Sequence, residues 1–294
     1  MKGATRRLLE GCIDYAGLFP PAQLSMAESL SNYLSYRKGS EGWIMDRFVC
    51  GTNQLPELAE ALKQANPASA VSVSVVGSRN PIWEEGLISD ADAMTRFMER
   101  SGEFADLEAY EKPLPPTGDF AEILTDLRAF NQVETFCEVP WGSDLHEVIG
   151  GIAAEEWLGA KARTGGLQAD AFPTSEELAV FIQQCIQLEV PYKLTAGLHH
   201  PVRSFRQEVN TKMHGFLNTL AAAGLAYSQD LTAKELESVL ESENPTDFAA
   251  TDQEFSFKNW KFGMEEIEAT RALFVSFGSC SVAEPLADLA ELNL

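Results

Sequence analysis

Two cations set in short apolar segments are the residues of this sequence best suited to chemistry. Lys161 lies in the segment GAKARTGG (159–166), and Lys193 lies in PYKLTAGLHH (191–200). Each segment has the pattern of a short strand that ends in a glycine turn, and residues 174–188 between them have the apolar spacing of a helix. The spacing therefore predicts a strand–helix–strand unit with chemistry at one end.

The faces of these two strands follow from the alternation of side chains. Residues two apart share a face, so Lys161 points the same way as Arg163, and Lys193 the same way as Thr195. Because helices cover a parallel sheet, a cation within a strand must reach solvent or a ligand at the carboxyl edge. The alternative is that Lys161 and Arg163 lie on an edge strand or pair with buried carboxylates.

Composition narrows the class of protein. The chain has 294 residues, of which 45% are hydrophobic, enough for a sizeable core in one large domain. Lys and Arg number 22 against 44 Asp and Glu, which gives a formal charge of -22. So negative a chain argues against nucleic acid or an anionic membrane as the partner. The sequence leaves a homo-oligomer open.

Most of the chemistry-bearing cations fall within one part of the chain. They are Lys161, Arg163, Lys193, Arg203, Arg206 and Lys212, with His199, His200 and His214 among them. A positive site inside a negative shell indicates a small anionic metabolite, such as a carboxylate or a phosphate ester. For Arg206 and Lys212, exposure on a helix is the preferred interpretation.

The spacing and surroundings of the cysteines indicate the cellular compartment of the protein. The five cysteines are widely spaced and mostly set in apolar segments, a pattern typical of reduced, buried thiols. The N-terminal residues do not have the pattern of a secretory leader, and no apolar run has the length of a membrane span. We therefore expect a cytoplasmic protein.

Strand and helix patterns alternate along the chain. Strands are predicted over residues 12–18, 46–51, 70–77, 105–110 and 133–139, and around Lys161 and Lys193. Helices are predicted over residues 25–36, 55–64, 90–101, 119–130, 144–154, 174–188 and 213–226. The alternation predicts an α/β fold, a (β/α)8 TIM-type barrel with its site on the loops that follow the strands. The competing fold is an open doubly wound sheet, but no glycine-rich dinucleotide fingerprint follows an early strand.

The end of the chain admits two interpretations. In the first, residues 228–265 are a helix plus hairpin insertion, and residues 273–278 form the eighth strand of a single domain that spans residues 1–294. In the second, residues 254–262 form the eighth strand and residues 264–277 form one helix.

The two lysine segments resemble a known family. GAKARTGG, followed 32 positions after Lys161 by KLTAG, resembles the deoxyribose-phosphate aldolase group of class I aldolases, in which strand six carries a Schiff-base lysine and strand seven a second lysine. The resemblance implies that Lys161 is the nucleophile and that Lys193 is a cation that depresses its pKa. Two departures, Arg163 and the His199–His200 pair, indicate a different substrate or reaction.

Several residues near the lysines could bind an anionic substrate. Arg163 offers a fork for a carboxylate or phosphate, and the amides of Thr164, Gly165 and Gly166 could help to cradle it, although a simple tight turn is an equal alternative. The loop that contains Ser279 and Ser281 would lie where barrels commonly bind phosphate.

Acid–base or metal-binding groups form a second set of candidates. His199 and His200 could serve as a general acid and base or as metal ligands, and one of the two is expected to reach the site because adjacent side chains face opposite ways. Glu138 and Asp14 could complete a metal site or act as bases. The alternative role of Glu138 is to pair with Lys161 or Arg163.

These residues favour one function over two others. The first is a Schiff-base lyase of the class I aldolase kind, which acts on a small anionic carbonyl compound and needs no cofactor. Its catalytic residues are Lys161, Lys193, Glu138 and His199. The second is a metal-assisted hydrolase or lyase that uses His199, His200 and Glu138. The third is a barrel that binds an anion without catalysis.

Overall fold

A computed structural model describes residues 1–229 and 231–294 of the chain. The elements follow in the order α1 (Gly3–Leu9), β1 (Ile13–Tyr15), α2 (Met26–Lys38), β2 (Met45–Gly51), α3 (Leu55–Ala65), β3 (Val71–Val76), α4 (Trp83–Ser101), β4 (Ala105–Pro113), α5 (Phe120–Asp126), β5 (Glu134–Glu138), α6 (Leu145–Ala153), β6 (Leu158–Arg163), α7 (Ser175–Gln187), β7 (Tyr192–Thr195), β8 (Ser204–Arg206), β9 (Thr211–Met213), α8 (Phe216–Ser228), α9 (Ala233–Leu240), β10 (Phe248–Ala250), β11 (Glu254–Phe257), β12 (Trp260–Gly263), α10 (Met264–Leu273), β13 (Phe274–Ser279) and α11 (Ala283–Glu291).

Eight parallel strands close into a barrel. Their order is β1, β13, β7, β6, β5, β4, β3 and β2, and β1 pairs with both β13 and β2 to complete the circle. The predicted (β/α)8 barrel is therefore confirmed. The strands are buried along most of their length because one face meets the barrel interior and the other meets the helices. In β3, for example, the valines alternate with Ser74, which is fully buried and turned toward the interior.

The helix between the two lysine strands forms for local reasons that the sequence contains. Thr174 caps α7, and its hydroxyl accepts from the Glu177 amide while the Glu177 carboxylate accepts from the Thr174 amide. The apolar face of α7 buries Phe181 against Tyr192 of β7, with ring centroids 5.7 Å apart. This packing fixes β7 beside β6, and it sets the register in which Lys161 and Lys193 are direct partners.

The eighth barrel strand is β13, so the interpretation that gave this role to residues 254–262 is wrong. That segment forms β11 and β12, which together with β10 make a separate three-stranded antiparallel sheet. The β11–β12 pair is a complete hairpin, in which Lys258 turns the chain with a φ of 53°. Its apolar face is buried, since Phe255 and Phe257 have no exposed surface. Within the predicted 228–265 insertion, α9 and this sheet precede α10 and β13.

Three local predictions differ from the structure. The helix predicted to begin at residue 90 begins seven residues earlier, at Trp83, so Asp90 is buried within α4. The fourth strand does not end at Tyr110 but runs to Pro113. The loop after β7 holds a small hairpin, β8 and β9, that the sequence did not predict, and for this reason α8 begins at Phe216 rather than at Met213.

Two further properties concern the chain as a whole. Among the described residues, no helix combines the length and apolar character that a membrane crossing requires. The five cysteines are free thiols, four of them buried and Cys280 partly so.

Candidate functional site

Charged side chains of several barrel strands meet in the barrel interior. Glu138 of β5 is the register partner of Lys161 in β6, which is the partner of Lys193 in β7. Lys193 is in turn the partner of Ser276 in β13. The strand alternation thus places a carboxylate, two ammonium groups and a hydroxyl side by side at one level of the barrel.

Glu111 of β4 joins the two lysines. Its Oε2 lies 2.6 Å from Lys161 Nζ, and its Oε1 lies 2.6 Å from Lys193 Nζ. Ser74 also donates a hydrogen bond of 2.6 Å to Oε1. The Glu111 side chain is 1% exposed, so this single carboxylate separates two buried ammonium groups away from solvent.

The ion pairs continue on both sides of Glu111. Lys193 also contacts Asp14 Oδ2 at 2.6 Å, and Lys161 contacts Glu138 Oε2 at 3.0 Å. The other oxygen of Glu138 accepts from Arg79, which follows β3. We call the run Asp14–Lys193–Glu111–Lys161–Glu138–Arg79 the charge chain. It alternates three carboxylates with three cations, so it is neutral as a whole.

The charge chain changes the protonation expected for Lys161. Burial by itself would lower the pKa of Lys161, but the Glu111 and Glu138 carboxylates outweigh burial and hold the pKa above its ordinary value. The pKa of Lys193 is raised for the same reason, by Asp14 and Glu111. The prediction that Lys193 depresses the pKa of Lys161 is therefore wrong, because a carboxylate lies between the two ammonium groups.

The pKa values of the carboxylates are shifted in the opposite direction from those of the lysines. Burial would raise the pKa of Glu111, but Lys161 and Lys193 hold it far below its ordinary value. The pKa of Glu138 is likewise lowered, because Lys161 and Arg79 outweigh its burial. These four shifts keep Glu111, Glu138, Lys161 and Lys193 ionised at neutral pH, with ammonium groups and carboxylates in contact.

A cavity of about 490 Å³ opens above the charge chain at the carboxyl ends of the strands. Its polar wall includes Asp14, Glu111, Glu138 and Lys161. Lys193 has no exposed surface and does not line the cavity, so Lys161 is the lysine that a ligand could reach. The remaining wall is largely apolar and includes Phe19, Pro20, Pro21, Val49, Val76, Leu167, Val209 and Met213.

Arg163 lies at the cavity wall with its side chain exposed, and its Nε donates to the Gly165 carbonyl at 3.0 Å. Gly166 and Thr195 line the same cavity. The predicted cradle of three amides is wrong in part, because the Thr164 amide already donates to the Thr195 carbonyl at 2.8 Å. The buried Thr164 hydroxyl donates to the Ala196 carbonyl, so this residue joins two loops rather than facing a ligand.

Gly165 is required by close packing rather than by an anion. A Cβ at this position would lie 2.7 Å from the Phe172 ring and 2.9 Å from the Gly197 Cα. Gly165 itself does not line the cavity. The structure therefore supports neither the anion cradle nor the tight turn at Gly165, because residues 164–166 are not assigned to a turn and the glycine is needed for close packing.

Both adjacent histidines line the cavity, which corrects the prediction that only one would reach it. The strand ends at Thr195, and Ala196 and Gly197 have φ angles of 65° and 78°, so strand alternation no longer applies at His199. His199 Nδ1 lies 3.9 Å from Cys280 Sγ and 3.8 Å from Glu284, and burial lowers the His199 pKa. His200 Nδ1 lies 2.5 Å from Asp288 Oδ2.

Besides Thr164 and Gly165, three more predicted binding residues do not line the cavity. Arg203 instead contacts His214 Nδ1 at 3.1 Å, and burial lowers the pKa of His214 to about 4. The Ser279 hydroxyl donates to the Ser281 carbonyl at 2.6 Å, and the Ser281 hydroxyl accepts from the Glu284 amide at the start of α11. These hydroxyls therefore organise the turn into α11, and the phosphate-binding role predicted for them is not supported.

The residues named for a metal site have separate partners. Glu138 is held by Lys161 and Arg79, whereas the two histidines contact side chains that follow β13. Within residues 1–229 and 231–294, no group of three or more His, Cys, Asp or Glu side chains has a metal-binding arrangement.

Sequence reasoning missed Glu111 and Arg79. Glu111 was missed because the fourth strand was predicted to end one residue before it. The signal was present, since a carboxylate inside a buried strand calls for a cation nearby. Arg79 lies in the loop after β3, and no local pattern distinguishes it from other loop arginines.

A buried ion pair fixes the loop that carries Arg79. Both Asp90 oxygens lie 3.0 Å from the Ser78 amide, and Lys112 donates to the Ser78 carbonyl at 3.0 Å and to Asp90 at 2.8 Å. Tyr110 completes the cluster with a 2.7 Å hydrogen bond to Asp90. Ser78 is thus held through both of its backbone polar groups, which orients Arg79 toward Glu138.

Comparisons with known proteins do not identify a relative, so a function for this chain must be argued from the geometry of the site. No protein-family model matches the chain, and a search of the curated proteins finds no match. The (β/α)8 barrel itself is common among enzymes and supports many different chemistries, so the fold alone does not select one.

Proposed function

We propose that this protein is a lyase that forms a Schiff base between Lys161 and a small anionic carbonyl compound, as class I aldolases do. Its main support is the position of Lys161, whose ammonium lies between two carboxylates at the wall of the cavity. The resemblance of the two lysine segments to the deoxyribose-phosphate aldolase group points in the same direction.

An iminium on Lys161 keeps the positive charge of the ammonium, which favours its formation between two carboxylates. The ammonium loses two of its three N–H protons, and both leave with the carbonyl oxygen as water. The protonated Schiff base keeps one positive charge where the ammonium stood, so this covalent intermediate preserves the ion pairs with Glu111 and Glu138. When this nitrogen is neutral, Glu111 still has Lys193 and Glu138 still has Arg79 as a cation partner.

Proton transfer can begin within the charge chain. Attack on the carbonyl carbon requires the neutral amine, so the Lys161 ammonium must first pass a proton to a neighbouring carboxylate. Glu138 suits this role because it lies 3.0 Å from Lys161 Nζ and also lines the cavity. Glu138 then returns the proton to the carbonyl oxygen. Lys193 keeps Glu111 ionised and in place beneath the reacting group.

Arg163 is proposed to bind the anionic group of the substrate. Its guanidinium is exposed at the cavity wall, and its identified contact is with a carbonyl oxygen rather than with a carboxylate. A guanidinium binds carboxylate or phosphate oxygens in a bidentate manner. The substrate would place its carbonyl carbon at Lys161 and its anionic end at Arg163.

Replacing Arg163 by glutamine should weaken substrate binding with little effect on the reaction of bound substrate. Loss of a charge-assisted hydrogen bond is worth about 1.5–3 kcal/mol, which corresponds to a rise of about 10- to 100-fold in the concentration needed for half-maximal adduct formation. Titration of adduct yield against substrate concentration measures this rise. Arg96→Gln on the exposed face of α4 is the matched control. Equal titration curves for Arg163→Gln and wild type would remove Arg163 from the site.

Sodium borohydride trapping tests the proposed function. The protein is incubated with pyruvate, 2-oxobutyrate, dihydroxyacetone phosphate or glyceraldehyde 3-phosphate. It is then reduced with borohydride, and its intact mass is measured by mass spectrometry. Reduction of an iminium gives a stable secondary amine, so the mass should rise by that of one probe molecule, less one oxygen atom. The absence of any borohydride-dependent increase across the panel would contradict Schiff-base chemistry.

A further inference from the structure

His200 lines the cavity that contains Lys161, and a carboxylate outside the cavity lining holds its ring. His200 Nδ1 lies 2.5 Å from Asp288 Oδ2, and Asp288 belongs to α11, which follows the eighth barrel strand. This contact occupies Nδ1, so Nε2 is the ring nitrogen left for the cavity that His200 lines. A carboxylate on Nδ1 fixes both the orientation of the ring and the tautomer that has its lone pair on Nε2.

After the Schiff base has formed, the reaction requires a second base. The carboxylates of the charge chain are poorly suited to that role. Once the iminium has formed, a proton must leave the carbon next to it. The carboxylates of Asp14, Glu111 and Glu138 are each paired with a cation, and the pKa values of Glu111 and Glu138 are lowered. Glu138 can exchange a proton with the Lys161 nitrogen because it contacts that atom directly, but a carboxylate stabilised as an anion is a weak base toward carbon, so a separate acceptor is needed for the α-proton.

We infer that His200 is the general base and acid that acts on the α-carbon of the bound substrate, and that Asp288 is its positioning residue. This inference rests on the proposed Schiff base at Lys161. His200 Nε2 takes the α-proton, and the electron pair of the C–H bond forms a carbon–carbon double bond while the iminium nitrogen becomes neutral. The products are an enamine and an imidazolium that pairs with Asp288, so the total charge is unchanged.

The geometry selects His200 rather than its neighbour His199. The Nδ1 atom of His199 lies 3.9 Å from the Cys280 thiol and 3.8 Å from Glu284, and neither contact is short enough to fix the ring. Both contacts also use the same ring nitrogen, so Cys280, His199 and Glu284 do not form a nucleophile–base–carboxylate relay. Of these two rings, the His200 ring has the short carboxylate contact, and its Nε2 has no identified hydrogen bond within residues 1–229 and 231–294.

Deuterium exchange separates this step from formation of the Schiff base. Formation of the enamine exchanges the α-protons of pyruvate and of dihydroxyacetone phosphate in D2O, and proton NMR records the loss of their signal above the rate in solution. His200→Ala should still give the borohydride adduct but should exchange about 10²-fold more slowly or worse, since a general base contributes about 10²- to 10⁴-fold. Added imidazole should restore part of the lost rate, which a purely structural defect would not allow.

Three controls accompany this variant. His146→Ala removes an exposed histidine of α6 that contacts Gln184 outside the cavity, and it should exchange like wild type. Asp288→Asn keeps the size of the side chain but removes its charge, and it should slow exchange while leaving trapping intact. Lys161→Met with imidazole measures exchange by imidazole in solution alone.

The possible outcomes are distinct. Exchange at the wild-type rate in His200→Ala, or failure of imidazole to restore a lost rate, overturns the role of His200 and leaves the Schiff base standing. Loss of exchange in His199→Ala with normal exchange in His200→Ala overturns it equally. If wild type gives no adduct with any probe, the proposed function fails and the role of His200 fails with it. If His200→Ala does not fold, an unchanged exchange rate in Asp288→Asn would contradict the pair.

Discussion

Replacing Lys161 by methionine is expected to abolish the borohydride-dependent adduct and to slow α-proton exchange by about 10⁴-fold or more, as loss of a covalent nucleophile does in other enzymes. Methionine fills a similar volume but cannot form an iminium. The fold should survive, because Glu111 keeps Lys193 and Glu138 keeps Arg79 as partners. The cost in free energy of unfolding should be about 3 kcal/mol, the lower end of the range for removing one member of a buried ion pair, because Glu138 lines the cavity and keeps Arg79.

Intact mass spectrometry, exchange NMR and circular dichroism measure these three effects on one preparation. Lys63→Met is the matched control, since Lys63 lies on the exposed side of α3 and contacts Glu60 at 3.6 Å. An adduct of normal yield in a folded Lys161→Met protein would show that the reactive amine lies elsewhere.

Replacing Glu111 by glutamine should have the largest effect on stability of any single change in the site. Glu111 is the carboxylate shared by Lys161 and Lys193, and both ammonium groups would keep only one carboxylate partner each, Glu138 and Asp14. Removal of one member of a buried ion-pair array costs about 3–5 kcal/mol. Urea unfolding followed by circular dichroism measures this loss.

A surface pair provides the comparison. Glu254 contacts Lys261 at 2.8 Å on the exposed β11–β12 hairpin, and Glu254→Gln should change the free energy of unfolding by less than about 1 kcal/mol. If Glu111→Gln were no more destabilising than Glu254→Gln, Glu111 would not hold the two lysines together.

The contribution of Glu111 to stability should also depend on pH, and its sign follows from its pKa. The folded-state pKa of Glu111 lies below the ordinary value of 4.5, so the unfolded chain takes up a proton first as the pH falls. The extra stability of wild type over Glu111→Gln is therefore fully present above pH 4.5. It should shrink as the pH falls below that value, through the folded pKa.

The two lysines should limit the stability of the folded protein at high pH rather than at low pH. Their pKa values are raised above the ordinary 10.5, so the stability that their charges contribute is present below pH 10.5 and is lost as the pH rises through the folded pKa values. The site should therefore remain ionised across the neutral range.

The barrel and the meeting of its lysines could be predicted from the sequence. Strand and helix patterns alternate with enough regularity to indicate the fold, and Lys161 and Lys193 were expected to converge because they lie on consecutive parallel strands. The structure places both on one carboxylate. The carboxylate itself was missed because the end of β4, Glu111-Lys112-Pro113, has the composition of a turn.

Other features were outside the reach of local patterns. Arg79 and Asp288 are distant from Lys161 in sequence, and only the closed barrel places Arg79 at the same cavity as Lys161 and Asp288 against His200, which lines that cavity. The Ser279–Ser281 segment was predicted to bind phosphate, but its hydroxyls form hydrogen bonds within the turn into α11. A hydroxyl-rich loop has the same sequence pattern whether it binds a ligand or caps a helix.

The most direct test of the account is to map the reduced adduct along the chain. A glutamate-specific protease separates Lys161 from Lys193, because Glu176, Glu177 and Glu189 lie between them, and tandem mass spectrometry then locates the added mass. The geometry of the cavity predicts a single adduct on Lys161 with none on Lys193. An adduct on Lys193, or one spread over exposed lysines with Lys161 unmodified, would contradict the assignment of Lys161 as the reactive amine.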